Sequence, residues 1–132
     1  MRGTLNEIIK GFAEQHGYGF AVDIVPTGLL NEKYPCLFCV APDATYSNVG
    51  RWAYPTTIYL VAPKGKKQNV NSILDDLQAL CRDLFLFLQK ECPLEYFFVD
   101  KTMKCAPKAG FDNSGAVAME MTFNIYESDE CR

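Results

Sequence analysis

The side chains of this sequence most able to do chemistry are its six cysteines and its one histidine. Only Cys36 and Cys39 are close together in the chain, with the C-x-x-C spacing of zinc and redox motifs. A zinc site needs a second such pair or two histidines, and a redox pair needs the start of a helix. Residues 35–41 instead have the composition of a strand, in which a spacing of three directs two side chains to opposite faces. We therefore expect reduced, mostly buried thiols, no metal ligand and no cofactor.

The histidine and the carboxylates do not form a recognisable catalytic set. His16 lies at the end of a predicted helix, where an imidazole interacts favourably with the helix dipole. Asp75 and Asp76 are adjacent and point to different sides of a predicted helix, and Asp112 lies in a turn-forming segment. We expect no catalytic residue. An enzyme that uses one cysteine thiolate is the catalytic possibility that stays open.

Composition and charge are those of a globular protein. The chain has 132 residues, 48% hydrophobic and 22% charged, and this length fits one domain over residues 1–132. The formal net charge of −3 is unfavourable for nucleic-acid binding, and we expect no sequence-specific nucleic-acid partner. No segment approaches the roughly 20 apolar residues of a membrane helix, and the first residues lack the apolar run of a secretory signal. We therefore expect no membrane contact and a place in the cytoplasm of the cell that makes the protein.

Two segments have the apolar spacing that is typical of amphipathic helices. Residues 4–16 carry an apolar stripe, with Thr4 as the predicted N-cap. Residues 71–92 carry a longer stripe, for which Asn69 or Asn71 is the predicted cap. The second helix is long enough to cross a small sheet, since roughly 22 residues span about 33 Å.

The remaining regular segments have the alternation or the β-branched and aromatic composition of strands. Strands are predicted at 20–25, 35–41, 56–62, 95–105 and 116–126. The first is either a short strand or an extended arm, and residues 43–55 have no period and are predicted to form a loop. The order helix, strand, strand, long helix, strand, strand predicts an α+β fold. We expect an antiparallel sheet of about four strands, with the N-terminal helix and the long helix packed on it.

Nine residues are candidates for an interface between subunits. Arg51, Trp52 and Tyr54 are of the types that dominate interface energies, although Trp52 can equally plug the end of the core. The lysines of 64–67 are either solvated or paired with an acidic surface of a neighbouring copy, such as 127–130. The second half of the long helix is apolar nearly all round and can face another subunit. The candidates are Arg51, Trp52, Tyr54, Lys64, Lys66, Lys67, Phe85, Phe87 and Phe111.

The layout of these elements resembles that of a phage protein family. It has an amphipathic helix at 4–16, a strand pair within 35–62, a long helix at 71–92, and a final Gly-containing loop and alternating strand at 110–125. In this layout, rather than in a strict motif, the chain resembles the tail-terminator and neck (tail-completion, head-tail joining) proteins of long-tailed bacteriophages. The six cysteines are more than this family leads us to expect.

The resemblance implies a structural virion assembly protein without catalysis. Such a protein forms a homo-oligomeric ring, commonly of six copies, at the head-tail junction or the tail end. Its implied partners are other copies of itself and other neck or tail proteins, and it passes from the host cytoplasm into the virion. The alternative is a small ligand- or peptide-binding α+β module of bacterial origin, with a pocket between the sheet and residues 43–55.

Overall fold

The computed structural model describes residues 2–22, 35–40, 43–47, 50–62, 69–91, 97–108 and 117–128. These residues form two helices and seven strands. In chain order the elements are α1 (Arg2–His16), β1 (Gly19–Val22), β2 (Cys36–Val40), β3 (Thr45–Ser47), β4 (Arg51–Ala62), α2 (Val70–Glu91), β5 (Phe97–Val99), β6 (Lys104–Lys108) and β7 (Val117–Ser128).

Two long antiparallel strands, β4 and β7, form the centre of the sheet. They pair over their whole lengths, from Arg51 opposite Ser128 to Ala62 opposite Val117. The other edge of β4 carries β2 and β3, and the other edge of β7 carries β5 and β6. β1 extends the sheet by pairing with β2 in parallel. The α+β class is confirmed, but the sheet is mixed and has more strands than the four predicted, because several short strands flank the central pair.

The segment predicted to be a loop, 43–55, contains β3 and the first residues of β4. The loop prediction is therefore wrong for 45–47 and 51–55. Pro55 obscured the strand, because proline cannot donate a ladder hydrogen bond. It lies between Ala53, which pairs with β3, and Thr57, which pairs with β2, so neither β3 nor β2 pairs with it; on the other edge of β4 it lies opposite Asn124 of β7.

Two further predictions about strands are refined by the structure. The single strand predicted at 95–105 is two short strands, β5 and β6, that pair with different parts of β7. Between them the Asp100 N–H donates to the Asn124 carbonyl (2.9 Å) and the Gln89 side chain donates to the Asp100 carbonyl (3.1 Å). At the other end of the sheet, residues 19–22 form a strand of the main sheet rather than an extended arm.

Local hydrogen bonds define two helix ends. At the end of α1, Gly17 has φ 73°, its N–H donates to the Glu14 carbonyl, and the Tyr18 N–H donates to the Ala13 carbonyl. This pattern is a Schellman motif, in which glycine adopts the left-handed conformation. Asn69 caps α2 by accepting a hydrogen bond from the Asn71 N–H at 2.8 Å. The predicted cap at Thr4 is wrong, because α1 already begins at Arg2.

Both helices cover the same face of the sheet and enclose one core. The alternation predicted for 116–126 is confirmed, because one set of β7 side chains is buried under the helices and most of the other set is half-buried on the far face. The buried set is Val117, Met119, Met121, Phe123 and Ile125. α1 contributes Leu5, Ile9, Phe12 and Ala13 to the same core.

Candidate functional site

A short hairpin formed by β3 and the start of β4 positions the predicted residues Arg51 and Trp52. At its turn the Gly50 N–H donates to the Ser47 carbonyl at 3.1 Å, and Gly50 has φ 75°, a conformation that glycine adopts at no steric cost. The Ser47 hydroxyl donates back to the Arg51 carbonyl at 3.2 Å. This register places Tyr46 directly opposite Trp52.

On the helix-facing side of this hairpin, aromatic rings continue from the core to the surface. Tyr46 is 48% exposed and meets Trp52 edge-on, with ring centroids 4.8 Å apart. Trp52 is half-buried and packs against the core. Two residues further along β4, on the same face, Tyr54 is buried and its hydroxyl donates to Oε1 of Glu127 at 3.1 Å. Trp52 thus both closes the end of the core and offers part of its ring to the surface.

On the opposite side of the same strands, Arg51 stacks on Tyr126. The guanidinium carbon lies 5.4 Å from the ring centroid, within the range of a cation–π interaction. Arg51 is exposed and Tyr126 is half-buried. We call Tyr46, Arg51, Trp52 and Tyr126 the aromatic end of the sheet. Arginine, tryptophan and tyrosine are enriched at interface hot spots, so this region is the best candidate for partner binding.

The other predicted interface residues do not join the aromatic end. Phe85 is 8% exposed and meets Phe123 edge-on with ring centroids 5.8 Å apart, so it is a core residue and we leave it out of the surface. Phe87 is half-buried against Phe12, with ring centroids 5.2 Å apart. The exposed apolar residue on this part of α2 is Leu86, at 56%. Four predicted residues lie outside the described residues: Lys64, Lys66, Lys67 and Phe111.

Cys36 and Cys39 are arranged as predicted for a strand, and two other cysteines meet between α2 and β6. Cys36 and Cys39 are both buried, and only Cys39 belongs to the helix-facing core, which is consistent with side chains on opposite faces of β2. Cys81 on α2 contacts Cys105 on β6, a proximity that their spacing in the chain does not reveal. Burial raises the pKa of Cys81 to about 12, and the charge and hydrogen bond of Cys105 add to the shift. Such a thiol is a poor nucleophile at neutral pH.

A second polar contact lies on the face of the sheet away from the helices. Tyr59 stacks on Phe38 with ring centroids 6.0 Å apart. Desolvation raises the pKa of Tyr59, and its hydrogen bond to the Glu120 carboxylate and the charge of that carboxylate raise it further. This pair therefore keeps a neutral phenol as the donor to an acceptor on the neighbouring strand.

The described residues offer few other features with chemical potential. Among them no group of three or more histidine, cysteine, aspartate or glutamate side chains is placed to hold a metal ion. No helix in the described part of the chain is long and apolar enough to cross a membrane. A groove of about 380 Å³ lies at the gap between β5 and β6, lined by both polar and apolar groups that include Asp100, Lys104 and Asn124.

Comparisons with known proteins do not assign the chain to a family. No protein-family model matches the sequence. A search of curated proteins also finds no match.

Proposed function

We propose that this protein is a structural virion assembly protein that forms a ring at the head-tail junction or tail end of a tailed phage. The observation that carries the proposal is the aromatic end, where a strand hairpin presents Tyr46, Arg51 and part of Trp52 to solvent. Because strand pairing fixes the backbone of the hairpin, little backbone entropy is lost when it binds a partner. In a ring, this surface contacts the neighbouring copy.

The arrangement of the helices supports the same proposal. α2 has a buried stripe against the sheet, yet Leu86 is 56% exposed on the part of the helix that is apolar nearly all round. A second contact surface at this helix and a first at the aromatic end are what a closed ring needs, since each copy binds two neighbours through different surfaces. The partners are six copies of the chain in the ring, and neck or tail proteins above and below it.

The second candidate function is a small ligand- or peptide-binding module. The groove of about 380 Å³ between β5 and β6 favours it, because the volume is within the range of small-molecule sites. The pocket expected beside residues 43–55 would have to be formed by strands, since 45–47 and 51–55 are not a loop. This function requires a stable monomer or dimer, and a ligand that shields the residues of the groove from solvent when it binds.

The test is the native mass of the wild-type chain by light scattering over a range of concentrations, with electron microscopy of the same samples. A ring, or growth toward one, supports the assembly function, and a strict monomer or dimer at all concentrations favours the binding module. Tyr46→Ala and Leu86→Ala test the two proposed contact surfaces separately, because both residues are large and about half exposed, and loss of either surface is expected to reduce assembly. If the aromatic end binds the neighbour, Tyr46→Ala reduces assembly while the monomer stays folded. Unchanged assembly in Tyr46→Ala would remove the aromatic end from the interface.

A further inference from the structure

Two cysteines that are distant in the chain meet between α2 and the sheet. Cys81 is fully buried in the core, and Cys105 is half-buried and packs against the same core cluster. Cys105 lies opposite Met121 in the β6–β7 register, which places it on the helix-facing side. Neither forms a disulfide, and Cys105 lies close enough to Cys81 to raise the pKa of its thiol. The fold therefore holds two thiols side by side without a disulfide between them.

One of the two sulfur atoms is reachable from a surface groove. Cys105 lines a groove of about 400 Å³ together with Gln78, Ala79 and Arg82, which flank Cys81 along α2. A small molecule in this groove meets Cys105 first, because Cys81 has no exposed surface. Burial also raises the pKa of Cys81 to about 12, which leaves it almost no thiolate at neutral pH and makes it a poor first nucleophile.

We propose that Cys81 and Cys105 form a reversible intramolecular disulfide when the protein meets a low-molecular-weight disulfide. In the first step the Cys105 thiolate attacks one sulfur of the small disulfide, a mixed disulfide forms on Cys105, and one small thiolate leaves. In the second step the Cys81 sulfur loses its proton, attacks the Cys105 sulfur and expels the second small thiolate. The two protein thiols are oxidised by two electrons, and the small disulfide is reduced to two thiols.

The bond would fasten the long helix to the edge of the sheet. In a reducing cytoplasm the pair stays as two thiols, and outside the cell the same pair is oxidised. A bond between α2 and β6 restrains the unfolded chain and so raises the midpoint of thermal unfolding. The inference concerns the single protomer and goes beyond the proposed function, so it holds or fails whether or not the chain forms a ring.

The experiment is treatment of the folded full chain with oxidised glutathione, followed by trypsin and mass spectrometry without reduction. Cleavage after lysine and arginine places Cys81 in the peptide 68–82 and Cys105 in the peptide 105–108, while Cys92 and Cys131 fall in other peptides. The expected product is 68–82 joined to 105–108, together with a higher thermal midpoint that dithiothreitol reverses. A reaction that stops at a glutathione adduct, that joins other peptides, or that leaves both thiols unmodified would overturn the proposal.

Two variants separate the two steps. Cys105→Ser is expected to prevent both the glutathione adduct in the groove and the cross-link. Cys81→Ala is expected to leave a stable glutathione adduct on Cys105, because the second sulfur is missing. If Cys81→Ala does not fold, Cys105→Ser still tests which thiol attacks first. Cys105 is only half-buried, so its substitution should leave the fold intact. If the Cys105→Ser protein still forms a disulfide between two other cysteines at the wild-type rate, the assignment of Cys105 as the attacking thiol is contradicted.

Discussion

Tyr54 and Glu127, 73 residues apart in the chain, are joined by a hydrogen bond of 3.1 Å from the phenol to Oε1 of the carboxylate. The bond ties β4 to the last residues of β7 directly beside Trp52. Because Tyr54 is only 7% exposed, this contact links the protein core to the aromatic end. The strength of that link and of the elements around it can be measured by substitution.

Tyr54→Phe removes the hydroxyl and keeps the ring in the core. We expect the free energy of unfolding to fall by about 1–2 kcal/mol, because a partly buried carboxylate loses a donor. Urea denaturation of the two proteins measures the difference. Glu127→Gln is the matched control, since its amide oxygen can still accept the bond and the loss should be smaller. Equal stability of Tyr54→Phe and wild type would show that water replaces the hydroxyl without cost.

Asn69→Ala tests the cap of α2. The Asn69 side chain accepts the Asn71 N–H at 2.8 Å, and loss of an asparagine cap costs about 1 kcal/mol. Asn71→Ala is the control, because Asn71 lies inside the helix, is exposed and contributes its backbone N–H rather than its side chain. Chemical denaturation should place Asn69→Ala below wild type and Asn71→Ala at or slightly above it. The reverse order would move the cap to Asn71.

Gly17, which follows α1, and Gly11, which lies within it, should respond to alanine in opposite directions. Gly17 has φ 73°, so Gly17→Ala forces a Cβ into the left-handed region and should destabilise the protein by about 1 kcal/mol. Gly11 lies within the helix with nothing near a built Cβ, so Gly11→Ala should stabilise it by about 0.5–1 kcal/mol. Thermal unfolding followed by circular dichroism measures both. A loss of stability in Gly11→Ala would mean that something contacts this side of α1.

The buried Cys81 thiol should make stability fall at alkaline pH. Its pKa is raised from 9.0 to about 12 in the folded protein, chiefly by burial, so the unfolded chain loses this proton first. The contribution is therefore complete below pH 9 and is lost as the pH rises toward 12, at up to roughly 1 kcal/mol per pH unit. Cys81→Ala lowers stability near neutral pH, where the thiol packs in the core, and should remove this slope.

The measurement is the unfolding free energy of wild type minus that of Cys81→Ala at a series of pH values from neutral to alkaline. Subtraction cancels groups common to both proteins, including Tyr59, whose pKa is also raised by desolvation and by Glu120. A difference that does not change with pH would show that the Cys81 thiol is no harder to ionise in the folded state.

Some features of this protein follow from short stretches of sequence. The apolar spacing of α1, α2 and β7, the glycine that ends α1 and the asparagine that begins α2 are all recognisable before the fold is known. Each depends on residues within one or two helical turns or on the alternation of one strand, so local patterns carry the information. The α+β class follows from the order of these elements.

The resemblance to phage neck and tail proteins comes from that same order, and it stays a prediction. The choice of Arg51, Trp52 and Tyr54 as partner-binding residues came from residue type alone. Tyr54 is a core residue at 7% exposure, whereas the exposure of Arg51 and of part of Trp52 depends on the hairpin of β3 and β4, which Pro55 and the short length of β3 concealed. Phe85 was misassigned to the surface because the all-round apolar pattern of the helix does not say which ring points to Phe123.

Only the tertiary structure decided the contacts between distant segments. The parallel pairing of β1 with β2, the stacking of Arg51 on Tyr126 and the meeting of Cys81 with Cys105 each depend on strand register and helix position. Register is set by how two segments fit a shared core, and a shift of one residue would turn every side chain of a strand to the other face. Local sequence determined which elements form, whereas the burial of the whole core determined which side chains meet.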